Sequence, residues 1–171
     1  VTKQGQKVRV ELTRLGEQSL VRLVEVAVPE LRAGIVEIVG VARDAGHRTK
    51  IAVATNDPRV DPVGAFVGVK GARIRGIVDE LAGERIDVVP YSENPEEYIV
   101  RALKIDGDIS ISVDEKNKVA YVTVPTERLS VAIGRHGQNV RLASRLTGWQ
   151  IEIAPETVEV DIEGVPEEVI E

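Results

Sequence analysis

A chain that repeats itself must fold as related modules, and this one repeats. Glycines stand three residues apart twice, in Gly68-Val69-Lys70-Gly71 and in Gly134-Arg135-His136-Gly137. Fifteen glycines in 171 residues yield about one such pair by chance, so the spacing alone says little. The flanks carry the inference. Upstream, Lys50-Ile51-Ala52-Val53-Ala54-Thr55 is matched by Lys118-Val119-Ala120-Tyr121-Val122-Thr123. Downstream, Leu81-Ala82-Gly83-Glu84-Arg85-Ile86-Asp87-Val88 is matched by Leu146-Thr147-Gly148-Trp149-Gln150-Ile151-Glu152-Ile153. The offset drifts only from 68 to 65 along the unit, which predicts two copies of one module.

Periodicity gives each copy the same coarse order. The Val- and Ile-rich run from Ile35 to Ala42 predicts a strand, Arg43 to His47 a turn, and Lys50 to Thr55 the returning strand. Asn56-Asp57-Pro58 breaks that strand, and a short helix then turns Val63, Phe66 and Val67 to the core. Past the glycines, Ile74, Ile77, Val78 and Leu81 recur at helical spacing, and Arg85 to Val89 predicts a third strand. The second copy opens on Asn94-Pro95-Glu96-Glu97, a cap residue, a proline at the first helical position and acids in the first turn. Its strands are expected near 108–114, at 119–124 and at 150–154. Residues 1–19 read as an N-terminal strand or linker, 20–92 and 93–154 as the two modules, and 155–171 as a tail.

Charge bears on what these modules bind. The chain carries 22 Lys and Arg against 28 Asp and Glu, a net −6. Residues 155–171 hold seven acids and no base, which leaves +1 for residues 1–154. Within that body, Phe66 to Gly76 contains Lys70, Arg73 and Arg75 and no acid. Arg128 to Arg145 contains Arg128, Arg135, His136, Arg141 and Arg145, again with no acid. A local field attracts a polyanion whatever the whole-chain charge.

A helix–GxxG–helix join suits a phosphodiester. Glycine lacks a Cβ and tolerates positive φ, so a nucleic-acid backbone can approach the main chain closely. The following helix turns its N–H groups and positive dipole end toward the phosphate. Lys70 in one loop and Arg135 with His136 in the other add side-chain charge. A tight helical turn on a neutral scaffold is the plain alternative.

The order of elements and the run Val131-Ala132-Ile133-Gly134-Arg135-His136-Gly137-Gln138-Asn139-Val140-Arg141 resemble tandem KH domains of the prokaryotic topology. Asn56 to Gly64, Gly71-Ala72-Arg73, Gly83-Glu84-Arg85-Ile86-Asp87 and Gly134 to Ala143 further resemble the NusA family of bacterial transcription elongation, termination and antitermination factors. The likeness covers roughly residues 20–154. It implies an α+β fold of two type II KH domains, each a three-stranded mixed sheet packed on helices. It implies single-stranded RNA, the nascent transcript, as the ligand, held by Gly68, Val69, Lys70 and Gly71 and by Gly134, Arg135, His136 and Gly137. Arg73, Arg75 and Arg141 would flank these clamps, Gln138 and Asn139 would add polar contacts, and Arg43 and Arg48 on the strand turn are additional candidates. The short Tyr91-Ser92-Glu93 connection implies modules docked rigidly into one RNA track. RNA polymerase and other Nus-type factors enter as partners by resemblance only.

That family also has a polymerase-binding domain and an RNA-binding barrel before the KH pair, which residues 1–19 do not match. Lys7-Val8-Arg9-Val10-Glu11-Leu12 reads as a remnant barrel strand or an added one, and a first residue of Val suggests a fragment or processed chain. No cysteine, metal cluster, Walker loop or nucleophile–base–acid pattern is present in the sequence, so no cofactor and no catalysis are expected. A monomer in the cytoplasm, away from membranes, is the expectation. Trp149 and Phe66 read as core, His47 as surface. The alternatives carried forward are a helix-turn-helix-like DNA reader and a KH-fold protein scaffold.

Overall fold

The computed structural model describes residues 16–156 and two short strands, residues 2–4 and 7–9. Those strands, β1 (Thr2–Gln4) and β2 (Lys7–Arg9), pair as an antiparallel hairpin. The rest of the expected Lys7–Leu12 strand and the tail from Thr157 onward lie outside the described residues.

The first module runs α1 (Glu17–Ala27), α2 (Pro29–Arg32), β3 (Val36–Asp44), β4 (Arg48–Thr55), α3 (Pro62–Val67), α4 (Ala72–Glu80) and β5 (Arg85–Pro90). The second runs α5 (Pro95–Leu103), β6 (Ser110–Asp114), β7 (Val119–Val124), α6 (Leu129–Ile133), α7 (Gln138–Thr147) and β8 (Gln150–Pro155). Each forms a three-stranded mixed sheet, β3-β4-β5 and β6-β7-β8, with an antiparallel first pair and a parallel second. The expected α+β class is therefore the class observed. The helix starts follow their sequence signals. Asn94 Oδ1 accepts the Glu97 N–H at 3.1 Å ahead of Pro95, and Asp61 Oδ1 accepts the Val63 N–H at 3.0 Å ahead of Pro62. Among the described residues no helix is long and apolar enough to cross a membrane.

Strand β4 is buried on both faces. Ile51 and Val53 join Val36 and Val88 beneath Leu20, Val24, Phe66 and Ile77, the first module's own core. Ala52 and Val89, on the opposite face, join Tyr98, Ile99, Ala102 and Leu103 of α5 in the second module's core. Small residues occupy this outer face, Gly40 opposite Ala52 and Ala42 opposite Lys50, so α7 can lie close against β3 and β4. Gln138 Nε2 donates to Asp44 Oδ2 at 2.7 Å and Arg145 Nη1 to the Arg43 carbonyl at 3.0 Å, which ties the modules together. The matching face of the second sheet stays open, with Ser112, Tyr121, Gln150 and Glu152 exposed.

The register corrects one step of the repeat. Arg48 stands opposite Arg85 and Ile51 opposite Val88, whereas Val119 stands opposite Gln150 and Val122 opposite Ile153. With β5 and β8 aligned, Ile51 corresponds to Val122. The sequence match of residues 50–55 with 118–123 is thus three residues out of step. An odd slip exchanges the faces of a strand: it would equate Val53, fully buried, with Tyr121, half exposed. The first module takes up the difference in the longer loop of residues 56–61 before α3.

Candidate nucleic-acid interface

The two glycine loops have one backbone conformation. Gly68 closes α3 at φ 72°, ψ 174°, and Gly134 closes α6 at 77°, 170°. A single tight turn follows, in which Lys70 (51°, 28°) matches His136 (51°, 30°) and Gly71 (74°, 18°) matches Gly137 (72°, 15°). The left-handed Lys70 and His136 are strained for residues bearing a Cβ, and such conformations persist only where the surroundings hold them. Glycine is needed at the first position for contact as well as for φ. A Cβ on Gly68 would lie 2.7 Å from Arg73 Cγ, and one on Gly134 would lie 2.8 Å from the backbone nitrogen of Asn139. Helices α4 and α7 begin directly beyond, so their positive ends point at the loops.

The expected RNA set divides on this framework. Val69, Lys70, Arg75, Arg135, His136 and Arg141 are exposed, Val69 at 84%. Arg141 reaches back to the His136 carbonyl at 3.5 Å, which keeps its guanidinium beside the loop. The others are engaged within the protein. Asn139 is 1% exposed, and its Nδ2 donates to the Leu103 and Ala132 carbonyls at 2.9 Å each. Arg73, its counterpart five residues past the first glycine, donates to Glu30 at 2.9 Å and to the Ala65 carbonyl at 2.6 Å. Each braces its loop against the preceding helix. Gln138 bonds Asp44, as above. Arg48 donates through Nε to Asp87 Oδ2 at 2.7 Å.

Arg43 is 7% exposed and forms a two-pronged pair with Glu84, both bonds 2.8 Å. Thr49 Oγ1 (2.6 Å) and the Gly46 N–H (2.8 Å) also donate to Glu84. Burial pushes the Glu84 carboxyl up, but these donors and the Arg43 charge outweigh it and hold it below its ordinary value. The donors of Arg43 and Asn139 thus already meet partners inside the fold. The sequence offered no sign of it, because a donor that suits a phosphate suits a carbonyl or carboxylate equally.

Sequence reasoning also missed a charged cluster at the seam. Lys50, fully buried on β4, donates to Asp87 Oδ2 at 3.1 Å, Arg48 Nη2 reaches the same oxygen at 2.6 Å, and Lys104 lies 3.9 Å from Oδ1. Burial pushes the Lys50 ammonium down to about 8, opposed by Asp87 and assisted by Arg48 and Lys104. Burial raises Asp87, but Lys50 and Arg48 beside it win, and its carboxyl sits below the ordinary range. The signal was the alternation itself: Arg48, Lys50 and Ala52 share one face of β4. Trp149 and Phe66 are core, 6% and 0% exposed, with the Lys118 ammonium 4.5 Å over the indole. His47 is surface.

Two αβ modules of this topology, each with a helix–GxxG–helix loop of one geometry, define a tandem pair of type II KH domains. Comparison with known proteins narrows the class. The model of the NusA-like first KH domain matches residues 14–91, and that of the NusA-like second KH domain matches residues 95–160. The transcription termination/antitermination protein NusA of Bacillus subtilis (strain 168) is 49% identical over 156 residues, 91% of this chain and 42% of its own. Its namesake in Halalkalibacterium halodurans is 48% identical over 156 residues, 91% of this chain and 40% of its own. A solved chain titled "Crystal structure of APE1850" superposes with a TM-score of 0.52 at 24% identity, over 80% of this chain and 96% of that one, a likeness of fold alone. The chain belongs to the NusA family and corresponds to its tandem KH region. It spans about two fifths of the length of these curated relatives.

Proposed function

We propose that this tandem KH unit binds single-stranded RNA across both glycine loops, as the transcript-reading part of a factor in transcription elongation, pausing, termination and antitermination. The observation that carries the reading is the coincidence of the two loops. Each presents the same strained turn at a helix N-terminus, with exposed cations Lys70 and Arg75 at one and Arg135 and Arg141 at the other. A scaffold that had abandoned nucleic acid has no physical reason to keep that strain twice beside unpaired charge. Single strands are favoured over duplex because each loop closes on a few nucleotides rather than laying a long helix into a groove.

The modules act as one body in this reading. Side-chain ties, a shared apolar core and a four-residue connection support a fixed spacing between the loops. The protein serves as a monomer in the cytoplasm, and RNA polymerase with other Nus-type factors are its partners through the rest of the factor.

The test is fluorescence anisotropy with a labelled A-rich 12-nucleotide RNA in competition with duplex DNA of equal length. Two double variants accompany the parent, Val69→Asp with Lys70→Asp and Arg135→Asp with His136→Asp. The reading expects RNA to be preferred and each variant to lose at least tenfold. Preference for duplex would favour the DNA-reading alternative, and no binding to either would favour a protein scaffold.

A further inference from the structure

We propose that the seam between the modules carries its own phosphate-binding subsite, formed by Arg48, Arg85 and Lys104 over the buried Lys50–Asp87 pair. It holds the RNA backbone where it leaves the second glycine loop. The inference rests on the RNA reading and adds a place that neither loop supplies.

The first argument is charge balance. Arg48, Lys50 and Lys104 all converge on Asp87, at 2.6, 3.1 and 3.9 Å. Arg85 stands opposite Arg48 in the parallel ladder and is exposed on the same face as Asp87, two residues along β5. Three cations therefore share one carboxylate, and Arg85 adds a fourth positive charge further along the same face. A structural ion pair needs one cation, and every further one raises the cost of holding Lys50 charged in the interior. An anion arriving from solvent relieves that repulsion.

The second argument is position. Asp44, the cross-strand neighbour of Arg48, accepts the bond from Gln138, the first residue of α7 behind the loop of residues 134–137. Leu103, directly before Lys104, accepts the bond from Asn139, the next residue of α7. The neighbours of Arg48 and Lys104 thus both bond the first turn of α7, which places the cluster beside that helix start. Lys104 has a side-chain exposure of 57%, so its ammonium is open to a ligand. Of the nearby acids, Asp44 keeps its charge beside Arg48 with one oxygen bonded by Gln138, while Asp106 and Asp108 belong to the exposed turn that leads away to β6.

The third argument comes from the second module, whose sheet offers the same four positions. By register, Arg48, Lys50, Arg85 and Asp87 correspond to Val119, Tyr121, Gln150 and Glu152. None of these is a cation, so the KH sheet does not require the cluster. It occurs only where the face adjoins a glycine loop of the other module. Without an aromatic side chain among its members, it suits a phosphodiester rather than a base.

The experiment measures RNA binding by the 171-residue chain as a function of salt. Arg85→Gln with Lys104→Gln removes two exposed members and leaves Lys50–Asp87–Arg48 in place. Arg22→Gln with Lys116→Gln removes two exposed cations elsewhere as a matched control. The inference expects the seam variant to bind the 12-nucleotide RNA on the order of five- to tenfold more weakly at low salt, with a slope of log K against log salt shallower by about 1.4. The control keeps the parent slope. Seam and control variants that behave alike, while the loop variants still lose binding, overturn this inference and leave the RNA reading intact. No RNA binding by the parent overturns both.

Discussion

The two modules close the same corner with opposite chemistry. Glu84 in the first, 1% exposed, is tied by Arg43, Thr49 and the Gly46 amide, whereas its counterpart Trp149, 6% exposed, is held by apolar packing and the Lys118 ammonium. The sheets differ in the same way: Lys50–Asp87 is buried against the second module, and the equivalent Tyr121–Glu152 faces solvent. Between these divergent supports the glycine loops agree within about 5°. Loop conformation is what the two copies hold in common, while the means of bracing it and the surface behind it have been free to change.

The largest effect should separate the two sheet faces. Asp87→Ala strands Lys50 and Arg48 beside a cavity and should cost about 3–5 kcal/mol, whereas Glu152→Ala on the open face should cost less than about 0.5 kcal/mol. Urea denaturation of both variants checks this, and equal costs would break the comparison.

The loops should differ less. Gly134→Ala drives a Cβ against the Asn139 backbone, while Gly68→Ala meets side-chain atoms of Arg73, which can give way only by loosening the bonds to Glu30 and the Ala65 carbonyl. Both positions lie at positive φ, so both substitutions destabilise, by about 2 kcal/mol at Gly134 and about 1 kcal/mol at Gly68. Thermal melts rank them, and the reverse order would contradict the bracing assigned to Asn139.

The subtlest difference is one of pH. Lys50 titrates near 8 in the folded chain against an ordinary value of 10.5, so the unfolded chain binds more protons between those values. Its contribution to stability therefore rises as pH increases from about 8 toward 10.5. Lys50→Met should be favoured over the parent at pH 7, and its advantage should shrink by on the order of 1 kcal/mol per pH unit across that window. A constant difference would mean that Lys50 does not titrate there. On the acid side, Asp87 and Glu84 both sit below their ordinary values. Their stabilisation is complete above those values and is lost as pH falls through the folded ones.

Much of this architecture was legible because its signals are local. The glycine pairs, the Asn94-Pro95 helix start and the strands at Val119–Val124 and Gln150–Pro155 stand where the residue types place them. The register of β4 against β7 was not legible. Lys-Ile-Ala-Val-Ala-Thr and Lys-Val-Ala-Tyr-Val-Thr look alike, yet β4 is buried on both faces and β7 on one, so the alternation that would have exposed the slip is missing from β4. Within the site, Val69, Lys70, Arg75, Arg135, His136 and Arg141 are where a ligand can reach them. Arg43 and Asn139 are not, because their donors meet Glu84 and two carbonyls that lie 36 or more residues away or across a turn. Such pairings are decided by tertiary approach, which residue type alone does not encode.

The central claim, two equivalent clamps at a fixed spacing, is tested most directly by RNA length. Affinities of 4-, 8- and 12-nucleotide A-rich RNAs should be measured for the parent, for each loop double variant and for the two combined. With about four nucleotides to each proposed clamp, the parent should gain at least tenfold from 4 to 12 nucleotides, and each single-loop variant should lose that gain while still binding the shortest RNA. A variant that keeps the full gain with length, or a parent that shows none, would contradict the account.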